Sequence, residues 1–138
     1  MIKILMGEKG TGKTKAFIDM VNQSIHEEKG NVVCVMKGDR HLFDLKSAVR
    51  LADTTDFEVE CYGTLYSFIG GLISRDYDTT HIFIDSITKI AGENFDKLDA
   101  FLVKLEKLSD KYNVNFTITV SAPTAVATDE VKKFLADL

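Results

Sequence analysis

Five short apolar runs, separated by longer amphipathic stretches, set the rhythm of this chain. The runs are residues 2–6, 31–36, 57–61, 81–85 and 116–120. Their lengths suit β-strands. Between them, apolar residues return at three- and four-residue spacing. Phe17, Ile18, Val21 and Ile25 follow the first run, Leu42, Leu45, Val49 and Ala52 the second, and Leu65, Phe68, Ile69 and Leu72 the third. The longest stripe, Phe95, Leu98, Phe101, Leu102, Leu105, Leu108 and Tyr112, follows the fourth. That spacing gathers the apolar side chains on one helical face, where they read as core. Thr64, Asn94 and Thr128 stand at N-cap positions. Gly30 stands where a C-cap glycine would end the first helix, and Val131, Phe134 and Leu135 mark a terminal helix. In residues 57–61, Phe57, Val59 and Cys61 alternate with Glu58 and Glu60, predicting a strand with one solvated face near a sheet edge.

Strand and helix alternating five times predict an α/β fold. The expectation is a single three-layer α/β/α domain over residues 1–138, with a mainly parallel five-stranded sheet covered on both faces. In such a sheet the segments that follow strands share one edge, and ligands bind there. Residues 37–41, 62–64, 86–94 and 121–128 belong to that edge. Arg75 follows a helix and falls on the opposite one.

The first of these turns carries the strongest chemical signal. Gly7, Glu8, Lys9, Gly10, Thr11, Gly12, Lys13 and Thr14 satisfy G-x-x-x-x-G-K-S/T between a strand and a helix. Backbone N–H groups at such a turn converge on one spot, and the helix N-terminus adds partial positive charge, so the spot suits phosphate. Gly7, Gly10 and Gly12 are expected to supply positive φ and close approach. Lys13 is expected to reach the β- and γ-phosphates, with the Thr14 hydroxyl as a magnesium ligand. The run 81–85 ends in Asp85, the expected carboxylate partner for that magnesium. Asp39, Glu60 and Glu93 are the other carboxylates considered.

Composition narrows the alternatives. With 138 residues, 45% of them apolar and 28% charged, the chain suits one soluble globular domain. Its net charge of −4 does not indicate a nucleic-acid binder. No stretch is apolar enough to span a bilayer and the N-terminus is not a signal peptide, so a cytoplasmic location is expected. Cys34 and Cys61 lie in apolar runs, where free cysteines act as small hydrophobes.

With these motifs the chain resembles the P-loop nucleoside triphosphatase superfamily. Residues 62–68 and Ser121-Ala122-Pro123 are similar to segments of the first RecA-like domain of superfamily-one helicases. The whole also looks like small single-domain bacterial P-loop proteins labelled twitching-motility PilT-like. The resemblance implies an ATP and Mg²⁺ site, with Lys13, Asp85 and Ser121 (or Thr119) acting on the γ-phosphate. Hydrolysing members often place a glutamate after the Walker B aspartate; here Ser86 stands there, so slow hydrolysis or a nucleotide-dependent switch is expected. The missing N-K-x-D-type motif favours adenine over guanine. Two alternatives stay open. Asp39-Arg40-His41 is similar to the acceptor-holding pair of small-molecule or nucleotide kinases. A regulatory module is the other, completed by a protein partner or by Arg75 of a neighbouring copy in a homo-oligomeric ring.

Overall fold

The structure, a computed structural model, describes residues 1–137. Its elements run β1 (Ile2–Gly7), α1 (Lys13–Glu27), β2 (Asn31–Met36), β3 (Arg50–Asp53), α2 (Tyr62–Arg75), β4 (Thr79–Ile84), α3 (Ile87–Ala91), α4 (Phe95–Tyr112), β5 (Asn115–Ser121) and α5 (Asp129–Lys132). Short 3₁₀ turns occupy Leu42–Asp44, Thr54–Phe57 and Thr124–Val126. The fold is α/β, and all five strands are parallel, in the order β1-β5-β4-β2-β3.

Alternation along the strands divides the core between the two faces of the sheet. On one face, Phe17 and Val21 of α1 pack against Val32, Cys34, Met36 and Phe83. Phe17 meets Phe83 edge to face, with centroids 5.8 Å apart. The other face is the larger: Ile4, Val33, Val35, Ile82, Ile84 and Ile118 pack beneath α2, α3 and α4. Asn94 caps α4 by accepting the Lys97 N–H at 3.1 Å, and Thr128 caps α5 through the Val131 N–H at 3.2 Å.

The middle of the chain departs from the periodic pattern. Residues 42–52 do not form a helix, and residues 57–61 are not a strand; the third strand is Arg50–Asp53 instead. Two forces decide this. The outer edge of β2 needs hydrogen-bond partners, which Arg50–Asp53 supplies by pairing with Val33–Met36. Asn22 of α1 then takes the backbone groups a helix would use, donating to the Asp44 carbonyl and accepting the Lys46 N–H, both at 2.9 Å. Leu45 and Val49 are buried, while Leu42 and Phe43 face solvent.

Two smaller corrections concern helix ends. Cys61, not Thr64, is the N-cap of α2; Thr64 sits at N3, where its hydroxyl accepts the Cys61 N–H at 3.1 Å. The cap of α1 is Glu28 rather than Gly30. Gly30 is glycine because a Cβ there would collide with the Asp78 carbonyl oxygen.

Candidate functional site

At the C-terminal edge of the sheet, β1, β2, β4 and β5 end around a cavity of about 350 Å³. Lys9, Gly10, Gly12, Lys13 and Thr14 line it from the glycine loop, Asp85 and Ser86 from the end of β4, and Ser121 from the end of β5. The strand order puts β5 between β1 and β4, so Ser121 stands between the glycine loop and Asp85.

The loop takes its shape from two glycines. Gly10 and Gly12 have φ of 90° and 79°. A Cβ at either would meet nothing within 4 Å, so backbone conformation rather than space requires them. Gly7 is different: it is the last residue of β1, pairs with Ser121 and is not among the positive-φ glycines. Glu8 and Thr11 turn the loop on itself. The Glu8 carbonyl accepts the Thr11 N–H at 3.3 Å and its hydroxyl at 2.8 Å. Gly7, Glu8 and Thr11 therefore shape the cavity without lining it.

Lys13 opens α1 with its side chain 7% exposed. Burial lowers its pKa, the negative charge of Asp85 works against that, and the Lys89 ammonium lowers it further. Lys13 makes no ion pair among the described residues, and its charge is directed at the cavity it lines.

Asp85 leaves β4 with its N–H still bonded to the Val35 carbonyl at 2.9 Å, so its position is set by the sheet. The Thr119 hydroxyl donates to Asp85 Oδ1 at 3.1 Å and accepts the Ser86 N–H at 2.6 Å. Ser86 turns in the left-handed region at φ 51°, uncommon for a residue with a Cβ. Thr119 is thus a latch beneath the cavity, while Ser121 lines it.

Three further cations line the same cavity: Lys37 just after β2, Arg40, and Lys89 on α3. Arg40 is steadied by its neighbours. Its guanidinium donates to His41 Nε2 at 3.4 Å, so His41 carries its proton on Nδ1 and donates it to Asp44 Oδ2 at 3.0 Å. Sequence reasoning placed both Lys37 and Lys89 on the correct edge, within residues 37–41 and 86–94, without giving either a role. The available signal was their spacing: Lys37 follows a strand end directly, and Lys89 lies one helical turn beyond Asp85.

The remaining carboxylates do not join them. Asp39 and Glu93 line no part of this cavity, and Glu60 lines its neighbour. Asp85 is the one carboxylate among its described lining residues. Arg75 ends α2 at the opposite edge of the sheet. Cys34 is buried in β2, and no group of three or more His, Cys, Asp or Glu side chains suited to a metal exists among the described residues. No helix among the described residues is long and apolar enough to cross a membrane.

The donor set is hard oxygen: one hydroxyl, Thr14, and one carboxylate, Asp85. Such a pair suits magnesium, which keeps several waters and takes its other ligands from phosphate. A protein with a net charge of −4 has here gathered five lysine and arginine side chains (Lys9, Lys13, Lys37, Arg40, Lys89) around one carboxylate. That arrangement attracts a polyanion. The chain matches none of the protein-family models and none of the curated proteins with which it was compared.

Proposed function

We propose that this chain is an ATP-binding protein of the P-loop class, with magnesium between Thr14 and Asp85 and slow intrinsic hydrolysis. One observation carries the reading: the glycine loop, Lys13, Asp85 and Ser121 converge on a single cationic cavity at the C-terminal sheet edge. The separation of β1 from β4 by β5 supports the RecA-like resemblance, because it sets a polar strand end between the phosphate loop and the carboxylate.

The residues divide the work as follows. Backbone N–H groups of residues 9–14 and the α1 N-terminus receive phosphate oxygens. Lys13 neutralises the terminal phosphates, and Lys37, Arg40 and Lys89 add charge on the far wall. Magnesium, when bound, screens the β- and γ-phosphate charge. Ser121 and Thr119 link the terminal phosphate to the turn at Ser86, a route for a nucleotide-dependent switch. Among the described residues no second carboxylate lines the cavity to orient an attacking water, so turnover in the isolated protein is on the order of 10⁻² s⁻¹ or below, as for switch-like members that lack full activation.

Calorimetry tests the reading. Lys13→Ala weakens Mg-ATP binding by about 2–4 kcal/mol, the scale of a buried charged hydrogen bond lost, and leaves the fold intact. Equal affinity in variant and parent would sink it. Turnover of several per second in the parent would show that a base for water has been overlooked.

A further inference from the structure

The opposite edge of the sheet, where the strands begin, borders a cavity of about 610 Å³ that shares no lining residue with the cationic one. Thr117, His81 and Glu28 all line it. Phe83 of β4 pairs with Thr117 of β5, which puts His81, two residues earlier on β4, diagonally beside Thr117 on the same face. Glu28 comes from the end of α1, the helix packed over that face. We propose that this cavity is an esterase site, in which Thr117 is the nucleophile, His81 its base and Glu28 the group that positions the base. The proposal is independent of the nucleotide reading.

Two hydrogen bonds carry it. Glu28 Oε1 lies 2.9 Å from His81 Nδ1, and Thr117 Oγ1 lies 2.9 Å from His81 Nε2. A carboxylate only accepts, so Nδ1 holds the proton of the neutral ring. Nε2 is then a bare acceptor, and the Thr117 hydroxyl donates to it. That is the tautomer and the direction a hydroxyl nucleophile needs. Stacking on Phe83, with centroids 4.0 Å apart, fixes the plane of the ring. Thr117 is 1% exposed, and the His81 and Glu28 side chains are each 17% exposed, so bulk water competes little for these bonds. A histidine that only packs is satisfied once both nitrogens are bonded. Here the bonded hydroxyl also borders a space large enough for a small ester. Burial lowers the His81 pKa, Glu28 opposes that, and Lys3, which lines the same cavity, adds to it. The ring is therefore neutral and able to take a proton, while Lys3 offers positive charge to a developing oxyanion.

The reaction follows from these roles. Thr117 Oγ1 forms a bond to the ester carbonyl carbon as its proton moves to His81 Nε2, and Glu28 stabilises the imidazolium. The bond from that carbon to the alcohol oxygen then breaks, and His81 returns the proton to the departing oxygen. Water attacks the acylated Thr117 by the same route, giving its proton to Nε2, and the carboxylic acid leaves as the hydroxyl of Thr117 is restored. Met20 and Phe83 supply apolar wall, so the acyl group is short and uncharged.

A neutral ester, p-nitrophenyl butyrate, is the probe. The parent releases nitrophenol well past one equivalent, at least tenfold faster than buffer. Thr117→Val loses at least tenfold of that rate, and Thr117→Ser keeps it. Glu28→Gln lowers kcat at least tenfold with KM within twofold, as a positioning role requires. Urea midpoints show whether Thr117→Val has folded. If it has not, paraoxon, which phosphorylates an activated hydroxyl, decides the matter in the parent: peptide mapping finds the adduct on Thr117. No turnover in the parent, turnover that survives in a folded Thr117→Val variant, or a paraoxon adduct absent from Thr117 overturns the site. An unchanged kcat in Glu28→Gln overturns the role given to Glu28.

Discussion

Thr119 of β5 holds Asp85, at the end of the neighbouring strand β4, by donating a hydrogen bond of 3.1 Å to its carboxylate. The same hydroxyl accepts the Ser86 N–H, so one side chain fixes both the carboxylate and the turn that follows it. Thr119→Val keeps the shape and removes both bonds. With Thr119 1% exposed, the loss is about 1–3 kcal/mol of stability, measured by urea unfolding. Mg-ATP affinity falls more than metal-free ATP affinity, and Asp85→Asn shows the same bias. If Asp85→Asn binds Mg-ATP as the parent does, the metal carboxylate lies elsewhere.

Ser86 itself stores strain. A left-handed backbone costs an ordinary residue roughly 1–2 kcal/mol, and glycine escapes that cost, though it loses about half of the gain to the freer unfolded chain. Ser86→Gly therefore raises stability by about 0.5–1 kcal/mol, and the β-branched Ser86→Val lowers it. A denaturation midpoint that moves down in the glycine variant would show that the serine hydroxyl contributes more than the backbone.

The two cysteines separate by environment. Cys61 is exposed at the start of α2, and its hydrogen bond with Thr64 holds its thiol below the ordinary range. Cys34 is buried in β2, and burial, reinforced by Asp85, pushes its thiol well up. Iodoacetamide consequently labels one site in the native protein, Cys61, and both in urea. Peptide mapping by mass spectrometry reads the result; native labelling of Cys34 would contradict the packing of β2.

A pH dependence follows from His81. Its Nδ1–H donates to Glu28 at 2.9 Å, its Nε2 accepts the Thr117 hydroxyl at 2.9 Å, and its ring stacks on Phe83 with centroids 4.0 Å apart. Burial lowers its pKa; Glu28 opposes that, and Lys3 and the N-terminal amine add to it. The native state thus refuses a proton that the unfolded chain accepts. Stability contributed by neutral His81 is present above the unfolded value of about 6.5 and declines as pH falls below it. Urea midpoints at pH 7.5 and 5.5 in parent and His81→Gln check this, the drop being smaller in the variant.

What the sequence made legible was local. β1, β2, β4, β5 and the cap of α4 each announce themselves in residues within a few positions of one another, although the strands pair with distant partners. The errors share a physical origin in distant partners. Residues 42–52 have helical spacing, yet Asn22, 24 positions before Lys46, claims their backbone. Gly30 looks like a helix cap because Asp78, which leaves no room for a side chain, is remote in sequence. Lys37 and Lys89 belong to no motif, and only the fold shows that they line the same two cavities as each other.

The pairing of β1 has a consequence during synthesis. Ile2 pairs with Phe116, 114 positions later, and Ile4 exchanges hydrogen bonds with Phe134 and Ala136. The strand leading into the glycine loop therefore waits for its partners until β5 has left the ribosome. At about 5–20 residues per second, that wait is roughly 6–23 s. Closing so long a loop is slow and entropically costly, whereas β2, β3 and β4 can associate earlier. The cationic cavity is then the last part of the nascent chain to mature, and until then β1 is a bare apolar segment for chaperones to shield.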